Sequence, residues 1–213
     1  MSGARSRSAE PLRGAHTAHA MGMWGLVLAL IVLVVFIAGL AAAALYLETG
    51  QPRDVVTGEA DGGWPPPHIE VPARHLAVLA ILSVVGTGLA LATAVRRLAV
   101  GASQRASQLV AIGLAAAVAA VILLVVDLQR ASFGWDEHAY TSVYWALTGA
   151  AILFVGVAAL MAASILVQLL TGVVDARRHL EMLNTAIYGW FTVLASGILL
   201  GLVHVLPVVS GSS

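Results

Sequence analysis

Five stretches free of Asp, Glu, Lys and Arg, at about 22–47, 76–95, 106–126, 140–170 and 182–206, take up most of this 213-residue chain. A bilayer core about 30 Å thick is crossed by roughly 20 helical residues, so each stretch is long enough to span one. Inside hydrocarbon, backbone N–H and C=O groups must be satisfied within the protein, which leaves only helices or a closed barrel. Runs of this length without strand alternation point to helices. The expected fold is an all-α integral membrane bundle of five transmembrane helices. Residues 1–21 form an N-terminal tail, 22–207 the membrane domain and 208–213 a C-terminal tail. The fourth run is longer than a bilayer needs and is expected to tilt or project.

Composition excludes several classes. With 60% hydrophobic and 10% charged residues and a mean hydropathy of +0.92, the chain falls far below the roughly 25% charged content of soluble domains. Zero net charge gives no reason to expect a nucleic-acid partner. The absence of cysteine removes disulfides, thiolate chemistry and Cys-ligated metals. All 11 basic residues are arginine, which we read as GC-rich coding rather than function. The uncharged run from Gly22 to Leu47 is too long for a signal peptide's apolar region, although Ala41–Ala44 mimics a cleavage box, so a retained span is expected.

Arginine placement orients the bundle. With the N-terminus inside, inner segments hold eight arginines (Arg5, Arg7, Arg13, Arg96, Arg97, Arg105, Arg177, Arg178) and outer segments three (Arg53, Arg74, Arg130). The positive-inside rule then puts the N-terminus in the cytoplasm and the C-terminus outside.

Ionisable groups at membrane depth mark ion or substrate routes. No expected span carries Asp, Glu or Arg near its middle, and Asp127 and Glu48, at span ends, are read as interfacial. A bis-histidine haem needs facing imidazoles. His16 and His19 lie in the head, His68, His75 and His138 near the outer surface, and His179 in an inner loop; only His204 falls within a span, near its outer end, where a structural or interfacial role is expected. Neither a redox centre nor a proton route is expected in this chain, and no catalytic, cofactor-binding or metal-binding residue is assigned.

In Trp135-Asp136-Glu137-His138, adjacent helical positions point about 100° apart and do not converge on one ion. Asp136 and Glu137 are instead expected to cap the fourth span, with Trp135, Tyr140, Tyr144 and Trp145 forming an aromatic belt at the outer interface. Small-residue faces at Ala115–Ala120 and Ala158–Ala163, and the pair Gly197 and Gly201, suit close helix packing.

The loop GGWPPPHIEVP, residues 62–72, stands between the first two spans. Consecutive prolines impose an extended polyproline conformation, and Trp64 is suited to anchor it at the interface. On residues alone, a stiff linker explains it equally well.

Order along the chain adds more. Met23-Trp24 opens the first span and Tyr46-Leu47 ends it. Trp64-Pro65-Pro66 follows, then two spans, then AYTSVYWALTG, then a last span opening HLEMLNTAIYGWF. This series resembles subunit III of the haem–copper oxidases, in its five-helix bacterial form, over about residues 21–207. The resemblance marks Trp24, Tyr46, Trp64, Pro65, Pro66, Tyr140, Ser142, Tyr144, Thr148, Gly149, Gly156, Tyr188 and Phe191 as structural or interface positions, with Met23, Leu47 and Leu147 also matching. The chain departs from the family where a membrane glutamate gives way to Leu30-Ile31-Val32-Leu33. A Phe-His-x-Leu-His element reads Ala150–Phe154, and Trp-His-Phe reads Gly189-Trp190-Phe191.

The resemblance implies an accessory, non-redox component of a terminal oxidase such as cytochrome c oxidase, in a bacterial inner membrane. It would brace catalytic subunit I beside subunit II and hold membrane lipids in a cleft, with haem and copper in the partner chains. Two alternatives stay open: the equivalent subunit of a quinol oxidase or nitric oxide reductase, and an unrelated small transporter or scaffold.

Overall fold

The computed structural model describes residues 10–49, 74–174 and 180–210, with side chains described for all but 10–22 and 206–210. The proline-rich loop carrying Trp64, Pro65 and Pro66 lies outside the described residues. Five helices follow in order: α1 (Glu10–Thr49), α2 (Arg74–Ala99), α3 (Ser103–Arg130), α4 (Ala139–Leu170) and α5 (Leu180–Ser210). No strand occurs among the described residues. All five helices are long and apolar enough to cross a membrane, over Met23–Thr49, Arg74–Ala99, Ser103–Arg130, Ala139–Leu170 and Leu180–Val205. The five uncharged runs all fall inside these helices. The first helix starts at Glu10, well ahead of Gly22; Pro11 suits the first turn of a helix, and no further proline interrupts the lead-in.

Glycine ends two of the helices. Gly101 and Gly172 take φ of 78° and 73°, the left-handed conformation that glycine adopts without penalty. After α2, Gly101 N–H donates to Leu98 O (2.9 Å) and Ala102 N–H to Arg97 O (3.0 Å). After α4, Gly172 N–H donates to Leu169 O and Val173 N–H to Gln168 O. Both sets are Schellman closures, which satisfy carbonyls that a helix end leaves open.

α4 begins differently from expectation. Its N-cap is His138, whose Nδ1 accepts from Tyr140 N–H (3.0 Å) while Thr141 Oγ1 accepts from His138 N–H (3.1 Å). Glu137 instead accepts from Gly134 N–H in the preceding turn. Asp136 and Glu137 therefore precede the cap, and no acidic residue lies in the first turn of α4.

α2, α3, α4 and α5 pack in a closed ring, each against its two neighbours, and α1 rests outside against α5 and α4. Lipid tails are as apolar as leucine, so such a ring is held by close packing and a few polar links rather than by expulsion of water. The closest approach comes at three glycines. A Cβ on Gly189 would meet Leu91 Cδ1 at 3.1 Å, one on Gly88 would meet Val193 Cγ2 at 3.2 Å, and one on Gly113 would meet Ala90 Cβ at 3.3 Å. Thr87 Oγ1 reinforces this seam by donating across from α2 to Gly113 O at 3.1 Å.

Gly197 and Gly201, the pair singled out by spacing, have open space where a Cβ would go, as do Gly149 and Gly156. The spacing alone does not fix which way a glycine faces. The real seam draws one glycine from each of three helices, so it has no linear signature.

Candidate functional site

Among the described residues, a buried carboxylate lies inside the ring where α3 ends and α4 begins. Asp127, one turn from the end of α3, is buried at 1% exposure. Its Oδ2 accepts a hydrogen bond from Tyr144 Oη at 2.8 Å, across from α4. From α5, His204 Nε2 approaches the same oxygen at 3.8 Å. That is too long for a hydrogen bond, and it is an ion pair only when the imidazole is protonated. Both ring nitrogens of His204 are buried without a hydrogen-bond partner.

Aromatic rings wall this corner. Phe133, in the α3–α4 connection, packs edge-on against Tyr144 (5.3 Å between centroids) and Tyr140 (6.3 Å), and Tyr144 packs edge-on against His204 (6.2 Å). Edge-to-face geometry suits the ring quadrupoles. The result is a carboxylate, a phenol and an imidazole from three helices, sealed by a phenyl ring.

Chemically, the arrangement ties helices together. A buried carboxylate is costly unless hydrogen-bonded and paired, and here its donor comes from one neighbouring helix and its nearest imidazole from another. Breaking the cluster removes the hydrogen bond between α3 and α4 and the approach of α5 to Asp127.

This corrects the reading of Asp127 as an interfacial group and, of the two roles expected for His204, favours the structural one. Depth along a helix says nothing about the direction in which a side chain points. The signal was in the phase: Gly113, Ala117, Ala120, Leu124 and Asp127 recur at three- and four-residue steps and are all buried. On α5 the buried polar positions Thr185, Thr192, Ser196 and His204 follow a similar stripe. The aromatic belt is corrected too. Trp135 is exposed as expected, but Tyr140 and Tyr144 are buried in the ring and Trp145 is partly buried.

The described positions marked by resemblance fall into four groups. Tyr140, Tyr144 and Thr148 lie on the buried face of α4, Tyr144 in the polar corner itself. Tyr188 and Phe191 meet Phe154 near mid-bundle, with Phe191 and Phe154 edge-on at 6.0 Å and Tyr188 Oη at 3.5 Å from Phe154 O. Trp24 and Tyr46 point away from the bundle on α1, at 66% and 74% exposure. Ser142 is exposed and donates to Trp135 O at 2.6 Å, while Gly149 and Gly156 are partly buried. The structure thus gathers the tyrosines of α4 with Asp127 and His204, and leaves Trp24 and Tyr46 exposed on α1, outside that cluster.

Between α1 and α4 lies an apolar groove of about 190 Å³, lined by Leu40, Ala44 and Leu47 on one side and Val143, Ala146 and Leu147 on the other. No trio of His, Asp or Glu gathers to hold a metal among the described residues. The described histidines sit apart, His75 exposed on α2, His138 on cap duty and His204 in the corner. They do not face one another as haem ligands must.

None of the curated proteins matches the chain. The sequence profile of one family, described as cytochrome c oxidase subunit III, matches residues 5–203. The match begins ahead of α1 and covers four spans whole and the fifth up to residue 203. With nearly the whole chain matched and five membrane-spanning helices in the order that the family likeness implies, the protein belongs to the cytochrome c oxidase subunit III family.

Proposed function

We propose that this chain is the accessory, non-redox subunit of a respiratory terminal oxidase of the cytochrome c oxidase type, bracing the catalytic subunit I in a complex that also holds subunit II. The observation that carries this reading is the family match over residues 5–203. It supports a subunit III-like component of a haem–copper oxidase, a multi-pass membrane protein, and it leaves the unrelated-transporter alternative without support. The ring supports bracing because its interior is close-packed alanine, glycine and leucine with polar links from Thr87 to Gly113 O and from Tyr144 to Asp127. In this proposal haem and copper belong to the partner chains, and electron transfer and oxygen reduction occur there.

The apolar groove between α1 and α4 has the right chemistry for a lipid acyl chain. The arginine bias, eight against three, supports an N-terminus in the cytoplasm and a bacterial inner-membrane location. Whether the complex takes electrons from cytochrome c or from quinol, and whether it reduces oxygen or nitric oxide, is set by the partner chains.

The test is a mild-detergent pull-down of the tagged chain, followed by a reduced-minus-oxidised spectrum. A haem signal from co-purified chains is the expected result; a haem-free, partner-free protein overturns the proposal. The Trp64→Ala variant is expected to insert normally yet bring down less haem, because a Trp beside consecutive prolines is the residue type that would anchor such a loop. Wild-type yield of partner chains in that variant would remove the loop from the argument.

A further inference from the structure

His204 and Asp127 are both buried, and each lacks what the other can supply. A neutral imidazole presents one N–H and one lone pair, yet neither ring nitrogen of His204 has a hydrogen-bond partner. Groups left in that state are costly. Asp127 Oδ2 accepts from Tyr144 Oη at 2.8 Å, but a phenol is a neutral donor and leaves a buried carboxylate without a counter-charge. His204 Nε2 stands 3.8 Å from that same oxygen.

A proton on the imidazole meets both needs. It supplies the counter-charge and makes Nε2 a cationic donor, whose bond to a carboxylate closes to about 2.7–2.9 Å. Two effects oppose it: an ion is costly in an apolar interior, and Arg74, at the start of α2, brings a like charge to bear on His204. Among the described residues, Asp127 and Arg74 are the charged groups that reach His204, and Glu48 at the end of α1 is not one of them. α4 contributes the phenols of Tyr140 and Tyr144, which do not ionise near neutral pH. The buried residues described on α1, Ile37 and Ala44, are apolar. Opposed terms of this kind make the proton's uptake conditional on pH.

We propose that His204 is a proton-binding switch, in which uptake of one proton draws Nε2 onto Asp127 and closes α5 against α3. The 3.8 Å separation is the open, neutral arrangement. Closing does not displace Tyr144, because a carboxylate accepts several hydrogen bonds at once. The corner lies at the same end of the bundle as Arg74, the end that the arginine bias assigns to the outside, so the switch follows the pH of the outer solution. Every group in it belongs to this chain, and it stands apart from the oxidase reading.

The test is solid-state NMR of the full chain, with isotope-labelled histidine and aspartate, in phosphatidylcholine discs. The sample is titrated from about pH 8.5 to about pH 4.5, either side of the ordinary histidine value of about 6.5. The His204 signal is the one lost in His204→Gln. The expected result is protonation of His204 within that range, together with a stronger dipolar coupling between its Nε2 and the Asp127 carboxyl carbon. Asp127→Asn removes the counter-charge but keeps an acceptor for Tyr144, and it should lower the proton affinity of His204 by about tenfold or more. Arg74→Gln, at an exposed position, should raise that affinity by a smaller factor, because solvent screens its charge. A merely structural histidine would not respond to the two charges in opposite directions. An imidazole that stays neutral across the range overturns the proposal. So does protonation with unchanged coupling, or a proton affinity indifferent to Asp127→Asn.

Discussion

Removing the Tyr144 hydroxyl is the cleanest perturbation of the polar corner. Tyr144→Phe keeps the ring, and with it the edge-on contacts to Phe133 and His204, while deleting the donor to Asp127 Oδ2 at 2.8 Å. Hydrogen bonds to charged groups contribute about 1.5–3 kcal/mol in water-soluble proteins. Side-chain bonds inside membranes average about 0.6 and reach about 1.7 kcal/mol. Asp127 is fully buried, and at 3.8 Å His204 does not replace the lost bond. The upper end of the membrane range, about 1.5 kcal/mol, is therefore expected for Tyr144→Phe. Asp127→Asn, which lowers the cost of an unpaired buried group, should make the loss of the hydroxyl much less damaging in the double variant. The assay is reversible unfolding in mixed micelles with increasing dodecyl sulfate, giving a double-mutant cycle. A coupling of about 1 kcal/mol or more is expected. Additivity within about 0.5 kcal/mol would mean that the 2.8 Å contact carries no energy, and the account of the corner as a three-helix tie would fail.

Other consequences can be read in the same assay. Gly189→Val places methyl groups where even a Cβ would be 3.1 Å from Leu91, and overpacking of this kind costs about 1–3 kcal/mol. Gly201→Ala meets open space and should change stability by less than about 0.5 kcal/mol. Equal effects at the two glycines would refute the seam. Thr87→Val should lose the bond from α2 to Gly113 O, at about 0.6 kcal/mol. His138→Ala removes the N-cap of α4 and should cost about 1 kcal/mol, with amide exchange rising first at Tyr140, whereas Asp136→Ala should leave that turn unchanged.

What the sequence made legible followed from solvent and length. The five spans stood out because uncharged runs beyond twenty residues have few other fates. Family kinship followed from elements spread along the chain, among them Met23-Trp24, Tyr46-Leu47 and the Tyr140–Gly149 segment. The contents of the ring were harder to see, because they depend on which way side chains face. Asp127 at a span end looked interfacial by depth, yet its place on the Gly113–Ala117–Ala120–Leu124 stripe turns it inward. Tyr140 and Tyr144 looked like a belt by type, but they sit four residues apart on the buried side of α4. His138 displaced the neighbouring carboxylates as cap because its extended backbone directs Nδ1 back at Tyr140 N–H. The glycine seam was hidden for another reason: it is assembled from residues on different helices.

The two ties found in the ring differ in kind and in position, and together they account for its suitability as a brace. The seam of Gly88, Gly113 and Gly189 joins α2, α3 and α5 by close backbone approach. The corner of Asp127, Tyr144 and His204 joins α3, α4 and α5 by charge and hydrogen bonding. A single junction would leave helices free to splay about it. Junctions at two heights, sharing α3 and α5, fix both spacing and tilt. α1 takes part in neither. It touches the ring through Ile37 and Ala44 and through Phe36, edge-on to Phe154 at 6.4 Å, contacts that apolar lipid can nearly replace. The stiff element is therefore the ring of α2–α5, and α1 is the helix free to adjust its position without disturbing the rest.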